Sequence, residues 1–214
     1  MLAGAYLMIP KGMSMTISVE DIKQKLHDML DSGRYQHSLG TADTAKSLAR
    51  YWQLDEEKAY LAGLLHDYAK SYTKEQLLSM SLRRGIAVDD WCRDYPGMLH
   101  GPVAAAELTD TWEIEDAEIA ESIRCHTVPT VDMCDLAKVV YLADKIEPNR
   151  RAWDGLDRLR ELAYTNLDLA MAAALDSCIE YILGRGKAIH PSTKEICEIY
   201  RNKIKRQKSH KSRK

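Results

Sequence analysis

One adjacent pair, His66-Asp67, ends the apolar stretch Leu61-Ala62-Gly63-Leu64-Leu65. An imidazole and a carboxylate brought together at the end of a buried helix are costly unless a partner compensates them, and a divalent cation can serve both at once. A nitrogen and an oxygen donor together suit Fe, Mn, Co or Zn, whereas an all-oxygen site would favour Mg. Taken alone, the pair fits a satisfied core histidine beside a carboxylate that caps the next segment better than it fits a metal site. Two more residues carry the same ambiguity. His37 stands near the start of a segment whose remaining face is apolar, and Asp144 is the acid in Val139-Val140-Tyr141-Leu142-Ala143-Asp144. Together they give the order H…HD…D along the chain.

The elements that must hold these residues read as helices. Ser18-x-x-Asp21 caps a first segment with Ile22, Leu26, Met29 and Leu30 on one face, and Gly33 is expected to close it. Further helices are predicted over 36–52, from Asp55 to His66-Asp67, after the Thr73-x-x-Gln76 box, over 103–108, 115–125, 136–145, 156–164 and 166–183, and over 192–204 with Ser192-x-x-Glu195 as cap. Residues 91–97 read as a loop. The strand-like runs, 15–19 and 86–88, are short and lack an evident partner. The fold class is therefore all-α, a single domain of about nine helices over residues 18–204.

Composition limits the function. With 45% hydrophobic and 29% charged residues the chain has ordinary globular usage, which argues against disorder and against a membrane protein. The formal charge of −2 is unevenly spread: residues 203–214 hold seven Lys/Arg and no acid. An acidic body thus ends in a basic tail over 205–214, expected to be a frayed helix end or disordered and suited at most to a weak, salt-sensitive nucleic-acid contact. Residues 1–17 read as a leader: their apolar run is stopped by Pro10, is too short to span a bilayer and has no basic start. Five cysteines, odd in number and without a C-x-x-C pair, fit reduced thiols in the cytoplasm.

The text around the H…HD…D residues narrows the reading. RYQHSLGTADTAKSLA at 34–49, AGLLHDYAK at 62–70, LHGPVAAAEL with His100, IRCHT with His126, LADKIEPNR at 142–150 and IHPST at 189–193 resemble the HD superfamily of metal-dependent phosphohydrolases. Within it they resemble the bacterial YqeK-like branch, which hydrolyses diadenosine tetraphosphate symmetrically to two ADP. The resemblance implies a helical HD-domain bundle with His37, His66, Asp67 and Asp144 as metal ligands and iron as the ion. It implies that His100 and His126 hold a second ion or else contact phosphate, and that Thr127 lines the same pocket. Lys70 and Arg150 match positions for cations at the phosphates. The stretch Ile189, His190, Pro191, Ser192 and Thr193 matches the one that closes over the nucleoside. The implied reaction is attack by a metal-activated water, with Lys70 and Arg150 stabilising the charge that shifts.

The implied partners are a dinucleoside polyphosphate substrate and ADP product, with no membrane; a homodimer stays open. Two alternatives also stay open: an HD phosphohydrolase acting on another nucleotide (a nucleotidase, a deoxynucleotide triphosphohydrolase or an alarmone hydrolase), and a nucleotide-binding module without turnover. His27 and His210 read as solvated.

Overall fold

The computed structural model describes the backbone of residues 14–15 and 17–211 and the side chains of 17–205. Among the described residues the chain forms twelve α-helices: α1 (Val19–Met29), α2 (Ser32–Tyr51), α3 (Glu56–Leu65), α4 (Lys74–Arg83), α5 (Asp90–Asp94), α6 (His100–Ala106), α7 (Leu108–Trp112), α8 (Ala117–Cys125), α9 (Asp135–Ile146), α10 (Leu156–Ala163), α11 (Leu167–Gly184) and α12 (Pro191–Lys211). Two 3-10 turns, Tyr68–Ser71 and Pro96–Leu99, lead away from Asp67 and into His100. The class is all-α, as expected.

Side-chain caps set most of the starts. Ser18, Asp31, Asp55, Asp89, Asp116 and Asn166 each accept a backbone N–H from the first turn of the helix they precede. Thr73 and Gln76 complete the predicted reciprocal box on α4. Each such cap is worth about 1 kcal/mol.

The core is built around α9, whose buried residues Leu136, Ala137, Val139, Val140, Leu142, Ala143 and Ile146 leave almost no wet face. A helix apolar all round belongs inside. Against it pack α2, α3, α8, α10 and α11, with α12 laid on α11. In this core α2 and α3 meet backbone to backbone. A Cβ at Gly63 would lie 2.9 Å from Ala42 Cα and 3.0 Å from Thr41 O, so only glycine lets the two backbones meet there.

Several expectations are corrected. Gly33 does not close α1: α1 ends at Met29 with Leu30 as its cap, and Asp31 immediately caps α2, with Gly33 inside its first turn. The helix count rises from about nine because the expected loop at 91–97 holds α5 and a 3-10 turn, and because α6 and α7 are separate helices. Short helices of five residues have too few turns to show a periodic stripe.

Two residues of the segment 1–17, read as a leader, are paired. Ser14–Met15 forms strand β1, antiparallel to β2 (Ile114–Glu115), with Ser14 opposite Glu115; the rest of 1–13 lies outside the described residues. The helical backbone continues to Lys211, into the basic tail, where Lys, Arg and Gln are good helix formers. Finally, α12 begins at Pro191, and the His190 ring rather than Ser192 sits at its cap, with Nδ1 accepting Ser192 N–H at 3.2 Å. Pro is preorganised for a first helical position.

All five cysteines are free. Burial pushes the thiols of Cys92 and Cys134 up to about 11 and that of Cys197 to about 12, so none of these three is a thiolate nucleophile at neutral pH. No helix among the described residues is long and apolar enough to cross a membrane.

Candidate metal centre

Helix ends bring the candidate residues together. His66 caps the C-terminus of α3 and Asp67 follows it; His126 caps α8, His100 opens α6, and His37 and Asp144 come from within α2 and α9. Five of the six are buried, and the sixth, His37, is 15% exposed at its side chain.

The histidines share a local device. His66 Nδ1 faces Gly63 O at 2.7 Å, His100 Nδ1 faces Gly97 O at 2.6 Å, and His126 Nδ1 faces Ile123 O at 2.6 Å, each three residues upstream. A carbonyl only accepts, so each Nδ1 donates a proton to it and each ring turns its Nε2 inward. His37 Nδ1 instead meets Glu147 Oε1 at 3.1 Å. The four Nε2 atoms converge on two carboxylates. His37 Nε2 lies 2.9 Å from Asp144 Oδ1 and 3.2 Å from His66 Nε2. On the other side, His126 Nε2 is 3.2 Å and His100 Nε2 3.3 Å from Asp67 Oδ1.

Two groups of donors result, His37 with His66 and Asp67, and Asp67 with His100 and His126, each with its ligand atoms within 4.8 Å of one another. Asp67 belongs to both, and Asp144 joins the first through His37 and His66.

Electrostatics suits a cation. Burial alone would raise the Asp67 carboxyl, but its contacts with His66, His100 and His126 hold it well below the usual carboxylate range. Burial would likewise raise Asp144; Lys145 beside it and contacts from His37 and His66 hold it low. Burial, only partly offset by Asp67, pushes His100 and His126 below their ordinary values, leaving them neutral and fit to ligate. Bare nitrogens and ionised carboxylates that face one another in a buried space fit one or two divalent ions of the nitrogen-tolerant kind.

Three cations flank the carboxylates. Lys70 Nζ lies 2.7 Å from Asp67 Oδ2. The Arg150 guanidinium holds Asp144 Oδ1 and the Asp144 backbone carbonyl. Lys145 Nζ contacts Asp144 Oδ2 and lies over the Tyr141 ring, 4.9 Å from its centroid.

Beside the centre a cavity of about 240 Å³ is lined by Trp91, Tyr95, Thr127, Tyr141, His190 and Thr193, among others. Thr127 joins the two spaces, its Oγ1 being 3.2 Å from His100 Nε2 and 3.3 Å from His126 Nε2. Of the stretch 189–193, His190 and Thr193 line the cavity. Ile189 is buried, Pro191 starts α12, and Ser192 Oγ contacts His190 Nδ1 at 2.5 Å. His27 is exposed on α1, as expected, and His210 lies outside the described side chains.

Residues 34–149, more than half of the chain, match the family described as HD domain. The chain belongs to the HD domain family. This HD-domain chain is 35% identical over 164 residues to the symmetrical bis(5'-nucleosyl)-tetraphosphatase of Halalkalibacterium halodurans, covering 77% of the chain and 87% of that protein. It is 33% identical over 172 residues to the Bacillus subtilis protein of the same name, covering 80% and 89%. A crystal structure from Clostridium acetobutylicum, described as a predicted HD superfamily hydrolase involved in NAD metabolism, aligns with TM-score 0.83 and 32% identity over 87% of this chain and 98% of that one.

Two residues of the HD centre escaped sequence reasoning. Glu147 and Lys145 both stand within the LADKIEPNR segment, yet a Lys and a Glu around a helix end read as a solvated terminus. Their signal was the Pro148 that follows: it ends α9 and puts Glu147 in extended backbone at ψ 153°, close to α2.

Proposed function

We propose that this HD-domain protein is a metal-dependent symmetrical bis(5'-nucleosyl)-tetraphosphatase that splits diadenosine tetraphosphate into two ADP. The observation that carries this is the continuity, through Thr127, between two donor groups sharing Asp67 and an aromatic-lined cavity. Polyphosphate and nucleoside then have adjoining places. Support for the substrate comes from the relatives that bear this name over most of their length.

His37, His66, Asp67 and Asp144 would hold one divalent metal, iron in this proposal, and Asp67, His100 and His126 a second. When bound, such metals lower the pKa of a water to about 7 and neutralise phosphate oxygens. The chain's own residues do the rest. The Nδ1 contacts keep each Nε2 aimed inward, and burial keeps His100 and His126 neutral. Lys70 and Arg150, held at the rim by Asp67 and Asp144, face charge that grows on the phosphate oxygens as the anhydride bond breaks. Lys145 adds a third cation between Asp144 and the Tyr141 wall of the cavity.

Trp91 and His190, edge to face with ring centroids 5.5 Å apart, form an aromatic wall suited to a base. The leaving group is ADP, a stable anion, so no strong general acid is needed. The acidic body does not oppose a polyanion, because remote charges are screened over about 8–10 Å at physiological salt while the local cations are not.

The test is the product pattern from diadenosine tetraphosphate with metal-loaded protein. ADP as the sole nucleotide product is expected. ATP with AMP would overturn the symmetrical assignment, and tight nucleotide binding without turnover would favour the binding module.

A further inference from the structure

Three histidines of the centre take their orientation from their own helix ends; His37 takes it from across the molecule. Its Nδ1 partner, Glu147 Oε1, is 110 residues away. Glu147 is buried, and its second oxygen accepts the Asn149 N–H at 2.6 Å, so the carboxylate is held from both ends. The facing helix is shaped to admit it. A Cβ at Gly40 would lie 2.5 Å from Glu147 Oε2 and 3.1 Å from Asn149 Nδ2. Gly40 sits inside α2, three residues after His37 and therefore on the same face, at a position where glycine weakens a helix. The glycine thus gives up helix propensity at the one place that lets a buried carboxylate reach the His37 ring.

We propose that Glu147 is a positioning residue that fixes the His37 tautomer and strengthens metal binding selectively at the His37, His66, Asp67 and Asp144 position. The proposal rests on the metal reading given above. A carboxylate draws the ring proton more strongly than a carbonyl does, which makes the opposite nitrogen a better donor. It also adds a negative charge behind the His37 ring. The His100 and His126 rings have only carbonyls behind them, so their position lacks this contribution. The two metal positions, although they share Asp67, are unequal for a reason located outside the ligands.

The experiment uses the full-length protein stripped with chelator and titrated with Co(II) alone, followed by calorimetry and by visible absorption. His126→Ala identifies the binding step that belongs to the His37 position, because that step survives in it. In Glu147→Gln this step should weaken roughly 10–100-fold, the range for loss of a partner behind a metal-bound histidine, while the other step keeps its affinity. Gly40→Ala, which pushes the carboxylate away without removing it, should weaken the same step. In a Glu147→Ala background the added methyl should change nothing further.

Unchanged Co(II) affinity in both Glu147→Gln and Gly40→Ala would overturn the proposal. So would equal weakening of both steps, or a lowered melting temperature of the stripped protein with no change in affinity, which is what a purely structural role predicts. Wild-type protein that takes up no Co(II) at all would instead remove the metal reading itself, a failure already visible before any variant is made.

Discussion

His100 Nε2 and His126 Nε2 lie 2.9 Å apart in a buried space, and neither neutral ring has a proton to place between them, because each Nδ1 donates to a carbonyl three residues back. The Thr127 hydroxyl reaches both nitrogens but has a single proton to give. One lone pair at least therefore faces another, an arrangement that a shared cation resolves. Metal should accordingly stabilise the fold. At a thousand times its dissociation constant a divalent ion adds about 4 kcal/mol, which for a chain of this size is a rise in Tm of roughly ten degrees. Thermal unfolding with and without chelator measures it, and coincident curves would count against a bound metal.

Asp67 is the one residue common to both donor groups. Asp67→Asn keeps the size of the side chain and removes the charge that both positions use. Metal content should fall at both positions together, unlike the selective loss in His126→Ala. Turnover should drop about a thousandfold or more, since several kcal/mol of transition-state charge stabilisation disappear. Metal analysis and kcat on the same preparation test this; a variant that retains full metal and full rate would show that Asp67 is a structural carboxylate.

Lys70 and Arg150 occupy different carboxylates, Asp67 Oδ2 and Asp144 Oδ1. If each stabilises charge that develops on the phosphates, Lys70→Ala and Arg150→Ala should each lower kcat by about a hundredfold, within the range for removing one preorganised donor, and KM should change less. Steady-state kinetics with diadenosine tetraphosphate separates the two parameters. A rise in KM with kcat intact would make these residues ground-state binders.

Gly63 links packing to chemistry. Its missing side chain lets α3 reach the α2 backbone, and its carbonyl accepts the His66 Nδ1–H. In Gly63→Ala the new methyl would press on backbone atoms of Thr41 and Ala42, which cannot rotate away. A loss of about 1–3 kcal/mol in unfolding free energy is expected, together with reduced turnover as His66 is displaced. Chemical denaturation and an activity assay would show the two losses together.

Much of this was legible from residue types and spacing because helices announce themselves locally. The Thr73–Gln76 box, the Asp55 start and the apolar stripe of α9 depend on residues within a turn or two of one another. Asp31 shows the limit. Gly33 two residues later resembles a helix stop, yet the Asp31 side chain captures Arg34 N–H and begins α2 instead, so one cap outweighed one glycine. The six residues of the centre were legible through motif text around each. Glu147 and Lys145 were not, because what makes them matter is contact with His37 and the Tyr141 ring. Likewise Ser14–Met15 pairs with a strand a hundred residues on, a partner that no local alternation reveals.

The cavity beyond Thr127 supplies a last test, on recognition rather than chemistry. Trp91 and His190 stand edge to face there, and His190 is tied to Ser192 by one ring nitrogen and approaches Asp89 Oδ2 at 3.4 Å with the other. An aromatic pair of this kind contributes about 0.5–1.5 kcal/mol beyond the area it buries. Trp91→Ala and His190→Ala should therefore raise KM for diadenosine tetraphosphate roughly three- to tenfold and leave kcat near wild type. Metal content should not change, because neither residue touches the donors. Kinetics on both variants, with metal measured in parallel, decides the matter: an unchanged KM would mean that the nucleoside lies elsewhere, and lost metal would mean that the cavity wall supports the centre itself.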